Sequence, residues 1–386
     1  MVVRNILLIL AVCAFCETYR TRRQTTTYKI DTKVVTDVEM YKRWSTYVRE
    51  TSSETDVKKL DTQTQNMIQE YVSRCFHQAN VRLATLNLGF TVQLQLVDIE
   101  FNYSAANANN INAEQTLNTF KDWLVKNSQS NLIDRYDHVM LFTSTALASV
   151  SSSGGEVQGL GHAYVGTMCK KDGTSSSVVE DKGGFQSSFP IAHEIAHSLG
   201  AQHDSFYPGC SDSTLYLMSG LASDPVSTRW IFSNCSANSI KTYINSILQS
   251  SSASCLTTSS TALNAFESTV GNNSGQDYPA NQQCQMMYGK TSHVCYGANF
   301  SNVGDICTSM FCLDPVASKS SPTCTKHFAA EGTSCGDGKW CKLGICTVDS
   351  IAPVIGSCSL GDNVNKVKVN GIDLSCTQAV ATAPHF

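Results

Sequence analysis

The sequence predicts an α/β domain over residues 28–256 followed by a small disulfide-rich module, and three observations carry that expectation. Strand-like and helix-like apolar periodicities alternate to about residue 250. A run dominated by Ser and Thr from Ser250 to Ser260 then ends that texture. Beyond it, cysteines at short intervals replace hydrophobic periodicity, so the core there must be built largely from disulfides. With 386 residues and 42% hydrophobic content, the chain has material for one catalytic-sized domain and a smaller unit.

The first element is a strand over Tyr28–Val38, an alternating stretch rich in β-branched residues. Met67, Ile68, Tyr71, Val72, Cys75 and Phe76 recur at helical spacing and predict a helix. Phe90, Val92, Leu94 and Leu96 keep a period of two, which marks a second strand with one face buried. Thr116–Val125 follows as an amphipathic helix, and His138–Thr145 as a third apolar strand.

At the N-terminus, Arg4 precedes an apolar stretch from Ile6 to Phe15, with Ala14 and Cys16 as small residues before Glu17. Residues 1–16 therefore read as a signal peptide, and 17–27 as a short segment carrying the basic cluster Arg20, Arg22 and Arg23. No later stretch approaches the roughly 18 apolar residues of a membrane span. The 17 cysteines suit an oxidising compartment, so a secreted, extracellular protein is expected. The sequons at Asn102, Asn234, Asn272 and Asn299 are then available for glycosylation. Lys plus Arg total 28 against 32 for Asp plus Glu, and this net charge of −4 provides no basic field for nucleic acid.

The chemistry is concentrated in Ala192–Asp204, AHEIAHSLGAQHD. His193 and His197, four residues apart on a helix, share a face and can direct imidazole nitrogens at one cation. Gly200 permits a left-handed turn that ends the helix and returns His203 as a third ligand. Three neutral histidines suit Zn2+ and leave its fourth tetrahedral position for water. Glu194 lies beside them without ligating and is the candidate general base for peptide-bond hydrolysis. His77, His138, His162, His293, His327 and His385 lack partners at ligand spacing and are read as structural or surface residues.

This HExxHxxGxxHD pattern resembles the metzincin zinc endopeptidases, specifically the reprolysin or adamalysin group that includes ADAM and ADAMTS proteases. Tyr216, Leu217, Met218 and Ser219 match that family's Met-turn, GHAYVGTMCKKDGTSSSVVED its approach to the zinc helix, and Asp204 the acid after the last histidine. YPANQQCQMMYG, CTSMFC and GTSCGDGKWCKLGIC resemble the disintegrin-like module of ADAMTS proteases. The resemblance implies a mixed, mostly parallel twisted sheet with helices, Met218 beneath the metal, and the pairings Cys169–Cys255 and Cys210–Cys235. Cys75 is left over on the apolar face of its helix and is expected to be a buried free thiol. Family calcium sites match at Asp31 and Asp137, but Leu256 and Thr257 stand where a third acid is expected after Cys255.

Domain organisation follows as catalytic unit 28–256, linker 257–276, disintegrin-like module 277–348 and C-terminal extension 349–386. The leader is read as running almost directly into the catalytic unit, where the family carries a prodomain, and neither a WSxW run nor an RGD tripeptide occurs. The resemblance points to a short secreted member, similar to salivary metalloproteases of blood-feeding arthropods. It implies a monomeric endopeptidase acting on extracellular matrix or plasma proteins; the alternative is a non-proteolytic binding protein that works through the cysteine-rich module. The two halves are expected to be separable, because the Ser/Thr-rich linker divides them.

Overall fold

Asp37 both ends the first strand and starts a helix. β1 (Thr27–Asp37) stops where the Asp37 carboxylate accepts the Met40 N–H at 2.7 Å and caps α1 (Val38–Thr51). Val38, expected in the strand, is therefore helical. Helix α1 was not anticipated, although Met40, Trp44, Tyr47 and Val48 form a buried stripe along it. That i, i+4, i+7, i+8 spacing, with Lys42 and Arg43 between, is the ordinary pattern of an amphipathic helix, so this element was legible in the sequence.

In the computed structural model, residues 26–104, 112–127, 132–150, 156–221, 225–252, 254–263, 273–296, 305–316, 323–352, 367–369 and 372–374 are described. The leader, the basic cluster, Cys16, Cys358, Cys376, His385 and the sequons at Asn272 and Asn299 lie outside these residues. Among the described residues, no helix is long and apolar enough to cross a membrane.

The expected helix around Met67–Phe76 is α2 (Val57–Leu83), begun by Asp56, whose carboxylate accepts the Lys58 and Lys59 N–H groups. α3 (Ala113–Lys126) and β3 (His138–Thr143) follow where periodicity placed them, within a few residues at each end, and β2 (Thr91–Tyr103) starts as expected but runs seven residues past Leu96. β4 (Gly161–Ala163) and β5 (Ser176–Glu180) complete a five-stranded sheet in the order β2-β1-β3-β5-β4. Its first four strands are parallel, and β4 runs antiparallel at the edge. The mixed, mostly parallel sheet is thus present.

Both faces are covered. Val34 and its neighbours Ile30, Met140 and Val179 pack toward Trp44, Ile68 and Tyr71, while Val35, Leu141 and Val178 pack toward Leu117 and Phe120 of α3. Each such side chain contributes about 1.5–3 kcal/mol through its removal from water. Cys75 lies in the first of these cores as a free, buried thiol.

Disulfides dominate the module. Cys284–Cys312, Cys295–Cys324, Cys307–Cys341 and Cys335–Cys346 tie together α6 (Ala280–Tyr288), the hairpin Met310–Asp314 with Thr323–His327, and a three-stranded sheet ending at Ile345–Val348. Between this unit and the sheet domain come α4 (Ser188–Ser198) and α5 (Asn234–Leu248), with Asn234 exposed at the first position of α5. In the catalytic unit the bonds Cys169–Cys255 and Cys210–Cys235 are the two that the resemblance implied.

The two halves share a buried interface, which counts against the expected separability. Arg82, 1% exposed at the end of α2, lies over the Trp230 ring of the catalytic unit and the Phe328 ring of the module. Gln186 donates to the Phe328 carbonyl at 2.8 Å, and the Glu331 N–H donates to Gln78 at 3.2 Å. Even within the expected linker, the Leu263 N–H bonds to the Leu96 carbonyl of β2 at 2.8 Å. Removing either half uncovers apolar surface that the other now covers, the Trp230 and Phe328 rings included.

Candidate active site

Helix α4 is fixed at its start by a buried carboxylate. Asp181 accepts hydrogen bonds from Trp44 Nε1 at 2.9 Å, the Tyr71 hydroxyl at 2.8 Å and Ser187 Oγ at 3.1 Å, so α1, α2 and the residue before α4 share one anchor. Pro190 falls in the first turn, where its missing N–H would be unpaired in any residue. At the other end the Gly200 N–H bonds to the His197 carbonyl and the Ala201 N–H to the Ala196 carbonyl, the Schellman pattern. Gly200 adopts φ +92, and its α-carbon lies against Tyr243 of α5, so a side chain there would be both strained and crowded.

That turn returns the chain and brings three imidazoles together. The His193, His197 and His203 rings have centroids 4.7, 4.9 and 5.3 Å apart, and one nitrogen from each lies within 4.8 Å of the others. His193 Nδ1 pairs with the Leu217 carbonyl at 2.8 Å and His197 Nδ1 with the Ala201 carbonyl at 2.7 Å. A carbonyl can only accept, so both rings carry their proton on Nδ1 and present an Nε2 lone pair. Burial, and then the neighbouring histidines, depress protonation further: His197 is pushed down to about 4 and His193 well below its ordinary value. His162 on β4, expected to be structural or surface, stands close enough to disfavour a charge on His197.

Glu194 points from the same helix and is 3% exposed. Burial raises its carboxyl well above the usual range, and its Oε2 has no hydrogen-bond partner among the described residues. Gly161 of the edge strand makes room for it, since a Cβ there would stand 2.7 Å from Glu194 Oε1. The contact between Gly161 and Glu194 had no signal in the sequence, because it joins an edge strand to a helix more than thirty residues later.

Met218, next to the Leu217 whose carbonyl pairs with His193, is fully buried, and its own carbonyl accepts the Asp204 N–H at 2.9 Å. Asp204, also fully buried, accepts from the Ser233 hydroxyl and from Ser236 Oγ at 2.8 Å. The strand-like segment at Leu217 bonds to the Ile231 carbonyl at 2.9 Å, which ties the turn to the chain leading into α5.

The pair Asp31 and Asp137 is a separate cluster. The Asp31 N–H donates to Asp137 Oδ2 at 2.8 Å, Asp31 Oδ1 is buried without a hydrogen-bond partner, and burial pushes Asp137 up to about 7. Two desolvated carboxylates with an orphaned oxygen suit a hard cation. Cys169 and Cys255 stand beside Asp137, but their disulfide removes them as thiolate donors.

Residues 53–259 match the description "Reprolysin (M12B) family zinc metalloprotease", more than half of the chain. The chain belongs to the reprolysin family. Residues 274–347 of this reprolysin match the ADAMTS cysteine-rich domain 2, in the part read above as a disintegrin-like module. Among its relatives, mouse "A disintegrin and metalloproteinase with thrombospondin motifs 1" is 34% identical over 244 residues, covering 61% of this chain and 23% of that protein. Human "A disintegrin and metalloproteinase with thrombospondin motifs 20" is 30% identical over 249 residues, covering 61% of this chain and 12% of that one. The reprolysin chain thus spans less than a quarter of the length of these relatives.

Proposed function

We propose that this reprolysin is a secreted zinc-dependent endopeptidase that hydrolyses peptide bonds in extracellular matrix or plasma proteins. The observation that carries the reading is the convergence of three neutral imidazoles beside a buried glutamate with an unpaired oxygen. His193, His197 and His203 would hold Zn2+, and the donor set fits it, with two tautomers already set by carbonyl acceptors. Zinc, when bound, supplies Lewis acidity that acidifies water and polarises the scissile carbonyl. Glu194 takes the proton from the attacking water and passes it to the leaving amine, and the burial that raises its carboxyl makes it a stronger base than an exposed glutamate. Met218 and Gly200 are supports: the first is a buried side chain in the turn whose Leu217 carbonyl holds His193, and the second makes the return of His203 sterically possible.

Calcium at Asp31 and Asp137 belongs to this reading as a structural ion joining β1 to the start of β3. So do a monomeric state, and a domain plan with the catalytic unit over 28–256 and the cysteine-rich module over 277–348. The test is digestion of fibrinogen, fibronectin and gelatin by the purified chain, with chelator and with zinc returned. Cleavage that chelator abolishes and zinc restores is expected. A zinc-loaded chain that cuts none of them would favour the binding-protein reading.

A further inference from the structure

A groove lies along α5, beside the turn that returns His203. Its volume is about 540 Å3, within the range of small-ligand sites, and Tyr207, Asn238, Ser239, Thr242, Tyr243 and Ser246 line it together with Gly200 and Cys235. The lining offers hydroxyls, one amide and two aromatic rings, and no charged side chain. Four of the hydroxyls are committed as donors. Ser239 Oγ donates to the Gly200 carbonyl at 2.8 Å, Thr242 Oγ1 to that of Asn238 at 2.9 Å, Ser246 Oγ to that of Tyr243 at 2.7 Å, and the Tyr243 hydroxyl to that of Met168 at 3.2 Å. Each keeps lone pairs that can accept. An uncharged groove of acceptors and aromatic rings suits a neutral ligand rich in hydroxyl donors and C–H faces, which is a sugar, and it gives an ion no counter-charge.

An attachment point for such a ligand stands on the same helix. Asn234, exposed at the first position of α5, opens the sequon completed by Ser236, and it lies one turn before Asn238 and two before Thr242, at the margin of the groove's face. We propose that Asn234 carries an N-linked glycan whose first sugars lie in this groove. The bond forms between the Asn234 amide nitrogen and the anomeric carbon of an oligosaccharide carried on a lipid diphosphate. The carbon–oxygen bond to the diphosphate breaks, the lipid diphosphate leaves with that electron pair, and the amide nitrogen gives up one proton. Transfer precedes folding of this segment, because the Ser236 hydroxyl that completes the sequon is fully buried in the folded chain, where it donates to Asp204 Oδ1 at 2.8 Å, and Cys235 is bonded to Cys210. Once attached, the sugars cover Tyr243, which packs on Gly200, and Tyr207, whose hydroxyl accepts the Gln202 N–H at 2.7 Å. None of the three imidazoles lines the groove, so the glycan braces the turn and leaves the chemistry alone.

The inference rests on the secretory reading above, and the experiment separates the two. The whole chain is expressed with its own leader in cultured animal cells, and occupancy of each sequon is read by mass spectrometry after glycosidase release in heavy-oxygen water. Thermal midpoints are compared for the native chain, Asn234→Gln, Thr242→Arg and the double variant; Thr242 is exposed, so arginine there obstructs the groove without disturbing the core. Asn234 is expected to be occupied, and Asn234→Gln to lower the midpoint by about 2–4 °C in the native background and by much less beside Thr242→Arg. Should Asn234→Gln fail to fold, enzymatic release of the glycan from the folded native chain supplies the same comparison. A secreted chain with Asn234 unoccupied overturns the inference and leaves the secretory reading intact. An occupied Asn234 whose loss costs the same in both backgrounds also overturns it, because the sugars would then lie outside the groove. A chain retained in the cells with no sugar at any sequon overturns the reading and the inference with it.

Discussion

The catalytic unit and the cysteine-rich module solve the same problem with opposite means. The first buries two apolar clusters against the faces of one sheet and contains two disulfides. In the second, four disulfides cross a small cluster in which Cys284, Cys307, Cys312, Cys335 and Cys341 are themselves the buried side chains. A sheet covered on both sides has enough area to fold on hydrophobic burial, whereas a segment of short strands must lower the entropy of its unfolded state instead. The difference also shows where chemistry can sit: a preorganised site needs rigid packed elements around it, and those surround α4.

Removing the module is the largest perturbation of that division. A chain ended near Ser260 loses Phe328 from over Arg82 and Glu331 from beside Gln78, uncovering apolar surface, and it is expected to lose rate on small peptides and large proteins alike, with a lower thermal midpoint. Full peptide activity in the truncated chain would restore the view that the halves are independent.

Within the catalytic unit, Glu194→Gln should lower kcat at least about 100-fold while zinc content and midpoint stay native, since the side chain moves a proton and is not a ligand. Parallel loss of zinc would show that it does more.

In the module, the double change Cys335→Ser and Cys346→Ser should cost about 3 kcal/mol in denaturant titration. An equally large effect on catalysis would mean that strain passes through Gly344, whose absent side chain leaves room for the Trp230 ring.

The last effect appears only in acid. Burial pushes His138 down to about 3 in the folded state from 6.5, so its contribution to stability is complete above pH 6.5 and is lost as pH falls toward 3. His138→Gln should flatten the fall in unfolding free energy by up to about 1.4 kcal/mol per pH unit in that window, measured by denaturant titration at several pH values. An unchanged slope would mean that other groups set the acid limit.

Periodicity located β1, β2, β3, α2 and α3 because each carries its own apolar pattern, and HExxHxxGxxHD located the three histidines because helix geometry converts spacing into a shared face. Helix α1 carries the same kind of signal, Met40, Trp44, Tyr47 and Val48 at helical spacing, whereas the edge strand β4 escaped because three residues hold no period. Patterns confined to one element could therefore be read along the chain. Gly161 against Glu194 and Arg82 between the halves could not, since each is defined by a partner from another part of the chain. Local spacing is a property of the backbone and can be read from the sequence; which glycine makes room for which carboxylate, and whether a linker separates two units or lets them share a buried charge, is decided only when packing brings distant segments together.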